Sequence, residues 1–356
     1  MINITKTYLP DKKKLSSYID RIYSSQWVTN DGLLVQELES KLEKFLGVKN
    51  LVLVANGTLA LQIAFKLLDL KKRVITTPFT FVGTTGAMVW ENLLPQFVDI
   101  DGETLNIDAN KIERSITKNV TGIVPVHVFG NSCDVIQIGK IAKKHNLKVV
   151  YDGAHAFGVS LNKKSLLSFG DITILSFHAT KIFHTIEGGA LIIKNNRLYE
   201  KAKQIRTFGF NKGVVKTLGI NAKMNELQAA VGLCVLDKID WLNNKRKKIV
   251  DRYKSELDGL VRFQKLAPHC SPSYGYCPII LKNKRQTEKV QKALSQQNIY
   301  ARRYFHPSLD KLKYLSVKSP MKVARDISER ILCLPVYHSL DKKTQAMIVY
   351  IIKGNL

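Results

Sequence analysis

Acidic side chains are scarce in this chain: 29 Asp and Glu stand against 55 Lys and Arg, a formal charge of +26 over 356 residues. Cysteine is scarce too. Cys133, Cys234, Cys270, Cys277 and Cys333 are odd in number and form no Cys-x-x-Cys pair, which argues against a disulfide framework and a zinc site and leaves reduced, mostly buried thiols. No metal is expected. Long apolar runs are missing as well. None approaches the ~18–20 residues that cross a bilayer, and the first residues, Met-Ile-Asn-Ile-Thr-Lys-Thr-Tyr-Leu-Pro-Asp-Lys-Lys-Lys, lack the apolar centre of a secretory signal. No membrane partner is expected, and cytoplasm is the expected compartment. There is no internal repeat and no low-complexity segment.

The basic excess needs an explanation. A nucleic-acid partner would need a basic stripe with a recognisable binding motif. Here the basic residues are scattered, and the densest groups, Lys12-Lys13-Lys14 and Lys245-Arg246-Lys247-Lys248, are short and isolated. A lysine-rich solvated surface is the simpler reading, with an anionic substrate a second contribution. With 45% hydrophobic residues the chain is globular, and its length suits one large unit with a smaller companion.

Hydrophobic periodicity predicts alternating elements. A helical pattern runs from Tyr18 to Phe45, broken by the turn Trp27-Val28-Thr29-Asn30-Asp31-Gly32. Strands are predicted over 51–55, 73–77, 96–100, 122–126 and 147–151. Helices follow, opening at Thr58, after Pro78-Phe79-Thr80-Phe81-Val82, near Asp108, and over 134–144. Such alternation indicates an α/β fold with a parallel or mixed sheet covered on both faces. Ligands on such sheets bind beyond the C-terminal strand ends.

Beyond Arg197–Arg206 a single long helical pattern runs from Asn225 to Leu257. A charge shift near Trp241 places a boundary between residues 1–240 and a small α+β unit, 241–356. Within that unit strands are predicted over 276–281 and 299–303, and helices over 286–297 and 340–352.

Three fragments carry chemistry. The strand 51–55 runs through Asn56-Gly57 into a helix opened by Thr58, which aims unpaired N–H groups outward, an anion site suited to phosphate. The strand 147–151 ends at Asp152. A carboxylate there can pair with a heterocycle nitrogen, or serve as the N-cap of the next turn. His155, three residues on, can lie against a ring or fill a polar pocket. In Asp171 to Ala190 an apolar run ends at Ser176, Lys181 follows with no other basic neighbour, and Glu187-Gly188-Gly189 leads into a second apolar run. That places Lys181 in a loop between two strands, where burial would favour the neutral amine that attacks a carbonyl. An ordinary surface lysine is the alternative.

In this order the segments resemble the sugar aminotransferases of the DegT/DnrJ/EryC/StrS family. The resemblance rests on Ala55-Asn56-Gly57-Thr58-Leu59-Ala60-Leu61, Pro78-Phe79-Thr80-Phe81, Pro125-Val126-His127-Val128-Phe129-Gly130-Asn131, Asp152-Gly153-Ala154-His155-Ala156-Phe157-Gly158, Ser176-Phe177-His178-Ala179-Thr180-Lys181, Glu187-Gly188-Gly189 and Gly219-Ile220-Asn221-Ala222-Lys223-Met224-Asn225-Glu226. It covers nearly the whole chain. It implies the fold of aspartate aminotransferase (fold type I): a large α/β/α domain with a mostly parallel sheet, and a small C-terminal α+β domain.

It also implies pyridoxal 5'-phosphate as cofactor, with pyridoxamine 5'-phosphate as the alternate form. Lys181 would carry the cofactor as a Schiff base and shuttle the proton, and Asp152 would pair with the pyridinium nitrogen. His155 would touch the ring's phenolic side and Phe81 would stack on the ring. Gly57, Thr58 and Ser176 would hold the phosphate, and Asn221 would reach the phosphate of the other subunit, which implies a homodimer with composite sites. Gly153, where the family more often carries Ala, would loosen the turn after Asp152. The related dehydratase branch lacks the Schiff-base lysine that Lys181 supplies.

Closer matching narrows the substrate. Lys6-Thr7-Tyr8-Leu9-Pro10, the Trp27–Gly32 turn and Phe177-His178-Ala179-Thr180 look like the branch aminating C4 of a nucleotide-linked 4-keto-6-deoxy sugar. That implies L-glutamate as donor, and 2-oxoglutarate and dTDP-4-amino-4,6-dideoxy-D-glucose as products. Such sugars feed bacterial surface polysaccharide, including the O-antigen of lipopolysaccharide, or antibiotic glycosylation. Relatives acting on 3-keto sugars commonly carry Asp where this chain has Leu59; these, and enzymes of GDP- or UDP-linked sugars, are the alternatives. Trp27, His178, Tyr304 and His306 are candidate sugar-nucleotide contacts, each equally a packed aromatic or a satisfied histidine. A pyridoxal-binding regulatory protein is the competing class.

Overall fold

The computed structural model describes residues 1–315 and 321–356. Its centre is a seven-stranded sheet in the order Leu51–Val54, Gly189–Ile193, Ile172–Ser176, Lys148–Asp152, Val120–Val124, Arg73–Thr76, Leu94–Phe97. The last five strands are mutually parallel, while Gly189–Ile193 runs antiparallel to both its neighbours. The central strands read as unbroken apolar runs because helices bury both faces. One face packs with helices Leu33–Leu46 and Glu226–Leu236, the other with Gly57–Leu67 and Val82–Trp90.

A second core gathers the antiparallel strands Arg262–Phe263, Pro278–Ile280 and Ile331–Cys333 with helices Lys284–Gln296 and Lys342–Lys353 and the second half of Ile239–Leu257. All five cysteines are free and buried. Among the described residues no helix is long and apolar enough to cross a membrane.

Three of the departures from expectation have a clear cause. The helical pattern over 225–257 is two helices, Glu226–Leu236 and Ile239–Leu257, parted at Asp237-Lys238; the apolar periodicity runs through the break and hides it. The strand expected over 96–100 is Leu94–Phe97, displaced because it pairs in register with Arg73–Thr76. The strand expected over 299–303 stops at Tyr300. Its partner is the N-terminal Ile2–Asn3, a pairing too short and too non-local for periodicity to signal. The chain then crosses back, hydrogen-bonding the Thr7 hydroxyl to Ala179 O at 3.0 Å and Tyr8 O to His184 Nε2 at 2.9 Å.

Candidate active site

The parallel strands end together at Thr76, Val124, Asp152 and Ser176, and a cavity of about 320 Å³ opens above them, within the range of small-molecule sites. Lys181, Asp152, His155, Gly57, Thr58, Phe81, Ser176, His178 and Tyr304 all line it. Three expected residues do not. Trp27, on the turn Trp27–Gly32, is 53% exposed and outside the cavity. His306 turns to Glu329 Oε2 at 3.4 Å, in a cluster with Lys284, Arg303 and Lys311. Asn221 is exposed and takes a hydrogen bond from Lys223 Nζ at 2.6 Å.

Asp152 is buried on the cavity floor. Its Oδ2 accepts from the Thr84 hydroxyl at 2.8 Å and its Oδ1 from Ala154 N–H at 3.1 Å, while Thr84 is backed by Thr80 at 2.9 Å. Burial raises its carboxyl above the ordinary range, and the two donors and the Lys181 charge pull it back. Two accepted bonds leave lone pairs free on a carboxylate that has about four. Gly153 does not loosen this turn: its N–H donates to Ile174 O at 2.9 Å, and a Cβ there would meet the same oxygen at 2.9 Å. The turn is tight because the residue is glycine.

Lys181 stands opposite, its Nζ 3.2 Å from the Tyr276 hydroxyl. Desolvation pulls its amine from 10.5 down to about 8, against the fields of Asp152 and Tyr304, which raise it. Burial pushes the Tyr276 phenol up, so it stays protonated and forms no ion pair with the amine. His155 is held neutral by burial, with the Lys181 charge adding to the effect. Its Nδ1 accepts from Phe129 N–H at 3.2 Å, which puts the ring proton on Nε2.

On the third side, Asn56 caps the helix Gly57–Leu67 by accepting from Leu59 N–H at 2.9 Å, and turns the helix start toward the cavity. A Cβ on Gly57 would come within 3.0 Å of Ser176 Cβ, so this helix start and the Ser176 strand end can approach only through glycine.

Thr84, Tyr276, Arg302 and Glu187 also line the cavity, and none of them had a site role in the sequence reading. The Thr80–Thr84 spacing of four, from just ahead of the helix Val82–Trp90 into its first turn, was the one available signal. Tyr276 is brought to Lys181 from 95 positions away, out of a different core.

The residues that form the cavity coincide with a known family. A model of the DegT/DnrJ/EryC1/StrS aminotransferase family matches residues 10–353. The chain is 39% identical over 360 residues to the dTDP-4-amino-4,6-dideoxy-D-glucose transaminase of Shigella dysenteriae, covering 99% of this chain and 98% of the relative. It is 29% identical to the GDP-perosamine synthase of Escherichia coli O157:H7, covering 95% and 93%. Among solved structures, that of DesI in the presence of its TDP-sugar product superposes with a TM-score of 0.94 at 28% identity, covering 99% of this chain and 92% of that one. With a match that spans both cores and the whole cavity, the chain belongs to the DegT/DnrJ/EryC1/StrS aminotransferases, which are pyridoxal-phosphate-dependent sugar aminotransferases.

Proposed function

We propose that this enzyme aminates C4 of a dTDP-linked 4-keto-6-deoxy sugar, taking the amine from L-glutamate and giving dTDP-4-amino-4,6-dideoxy-D-glucose and 2-oxoglutarate. The observation that carries the substrate is the 39% identity, end to end, to a transaminase of that product. The similarity to a GDP-perosamine synthase supports a second reading, a GDP-linked 4-keto sugar.

The cavity suits the cofactor. The start of helix Gly57–Leu67, with Thr58 and Ser176, offers N–H and hydroxyl groups for a phosphate. Asp152 has acceptor capacity to spare for a ring N–H, Phe81 presents an exposed ring for stacking, and His155 Nε2–H can meet a phenolate oxygen. Bound there, pyridoxal phosphate supplies an aldehyde carbon for the donor amine and a ring that accepts an electron pair.

The chain's own groups do the rest. Lys181 Nζ, a free base above about pH 8, accepts the Cα proton of the donor and, in the second half-reaction, delivers a proton to C4 of the sugar. Asp152 keeps the nitrogen opposite it protonated, which deepens the electron sink. Tyr276 holds the amine by the hydroxyl contact at 3.2 Å, and the apolar surroundings restrict water. Asn221 and Trp27, exposed and outside this cavity, are assigned to the site of a partner subunit, so the working unit is a homodimer. The cytoplasm, where nucleotide sugars and glutamate meet, is its compartment.

A panel of nucleotide-linked 3-keto and 4-keto sugars with glutamate, read by the mass of the aminated product, tests this. Product from the dTDP-linked 4-keto sugar in preference to the others is expected. Turnover confined to a GDP-linked or 3-keto sugar would overturn it.

A further inference from the structure

Two short basic runs take no part in the chemistry above, Lys12-Lys13-Lys14 and Lys245-Arg246-Lys247-Lys248. Isolated in the sequence, they meet in the fold. Lys14 Nζ pairs with Asp237, 223 positions away, which sets the start of the helix Lys12–Ser25 beside Asp237-Lys238, the break ahead of Ile239–Leu257. On that second helix Trp241, Lys245 and Lys248 follow at spacings of four and three, so they share one face. The Lys245 ammonium lies over the Trp241 ring, 5.7 Å from its centroid. Tyr8, from the N-terminal segment, meets Trp241 at 6.1 Å and His338 at 5.4 Å, and His338 meets Trp241 at 5.8 Å. Three stretches of chain thus converge on one indole.

Trp241 is still 45% exposed, and Leu9, next to Tyr8, is 79% exposed. Around them Lys12, Lys13, Lys238, Lys245 and Lys248 are exposed. Among the described residues none of these five has an ion-pair partner; the pairs nearby engage Lys14 and Lys247. The carboxylates of the region do not cancel them. Asp11 caps the helix Lys12–Ser25 through Lys14 N–H at 3.0 Å, Asp237 is taken by Lys14, and Asp240 lies about 100° around the helix from Trp241. The face is an apolar centre set in an excess of positive charge.

We propose that this face is a peripheral docking surface for an anionic lipid bilayer, with Trp241 and Leu9 at headgroup depth and the lysines over the lipid phosphates. Tryptophan favours the membrane–water interface, and lysines close to an anionic leaflet add to binding one by one. The five free cations are all lysine, flexible point charges that suit a fluid layer of headgroups, where the planar fork of arginine has no fixed partner to match. Nucleic acid would call for a groove-fitting element or several stacking aromatics. A second copy of the chain would set like charge against like. The expectation of no membrane partner rested on missing apolar runs, and these bear only on crossing a bilayer, which no helix among the described residues is long and apolar enough to do.

The substrate panel and the following assay can fail separately. Purified holoenzyme is sedimented with vesicles of phosphatidylcholine alone and of equal parts phosphatidylcholine and phosphatidylglycerol. The proteins compared are the wild type, Lys12→Gln with Lys13→Gln, Lys245→Gln with Lys248→Gln, and all four changes together. Binding is expected to the anionic vesicles only, and to vanish at about 1 M salt, where the Debye length is about 3 Å. Each pair should weaken it by about 25-fold, at about fivefold per lysine near an anionic surface, and the fourfold variant should not bind. Turnover of soluble substrates should be unchanged in every variant, since none of these residues lines the cavity, which also shows that the variants are folded. Absence of binding, equal binding to neutral vesicles, or an effect of one pair without the other would overturn the assignment. So would tighter binding to a single-stranded oligonucleotide than to the vesicles with the same dependence on the lysines.

Discussion

Two regions of the molecule each bury a basic side chain, and they treat it in opposite ways. Arg206 is 3% exposed and held at both terminal nitrogens, its buried Nε alone lacking a partner among the described residues. Its Nη1 reaches Glu39 Oε1 at 2.8 Å and Leu53 O at 2.9 Å, and its Nη2 reaches Asp31 Oδ1 at 2.8 Å. Among the described residues no carboxylate lies against the Lys181 nitrogen, only a neutral phenol. The first arrangement clamps the Asn30-Asp31-Gly32 turn to the sheet edge. The second leaves an amine that gives up its proton near neutrality. A buried base held by anions is structure; one deprived of them becomes a reagent.

Substitution at each base should separate these roles. Lys181→Ala should lower turnover by at least about three orders of magnitude while leaving the melting temperature near that of the wild type. Retained turnover would remove Lys181 from the chemistry. Arg206→Met leaves Glu39 buried and unpaired and should cost about 3–5 kcal/mol in chemical denaturation, with activity per folded molecule unchanged. A stable Arg206→Met protein with lost activity would collapse the comparison. Asp152→Asn should lower turnover by about 100-fold or more, with the cofactor still bound by its absorbance.

The pH dependence tests the same contrast more finely. Below about pH 8 the Lys181 amine of the apoprotein is protonated and cannot attack an aldehyde. The rate of reconstitution with pyridoxal phosphate, followed by absorbance, should therefore rise with pH around a midpoint near 8. The linked effect on stability has a definite sign. The folded state holds this proton less tightly than the unfolded chain, so the group's unfavourable contribution is full below about pH 8 and fades between about 8 and 10.5. A midpoint near 10.5 would mean an ordinary, solvated lysine. Tyr276→Phe is the mildest change: loss of one hydrogen bond to the amine should slow turnover by up to about tenfold, with cofactor affinity preserved.

What could be read in advance follows the range of the forces involved. The strands Leu51–Val54 and Ile172–Ser176 and the helix opened at Asn56-Gly57-Thr58 are written in local apolar pattern and capping, and the fold shows them. Lys181 and Asp152 were legible because each stands at the edge of such a run. Tyr276 and Arg302 were not, since their place in the cavity arises only when the small sheet closes over the large one. His306 looked available in the sequence, but Glu329, from a helix expected nowhere in the local pattern, takes it up. Glu226 is a similar case. It sits in the Gly219–Glu226 segment that carries part of the family resemblance, and its carboxylate caps the helix Leu33–Leu46 through Leu34 and Val35 N–H at 2.8 and 3.0 Å.

The first eight residues have a consequence out of proportion to their length. Ile2 and Asn3 extend a strand pair with Ile299 and Tyr300, immediately ahead of Arg302 and Tyr304, and the same segment then ties Thr7 and Tyr8 to the loop that carries Lys181. It works as a drawstring threaded through both lips of the cleft. Trimmed of it, the protein would keep every reacting group and yet lose the ties that join the Arg302–Tyr304 wall of the cavity to the loop of the lysine.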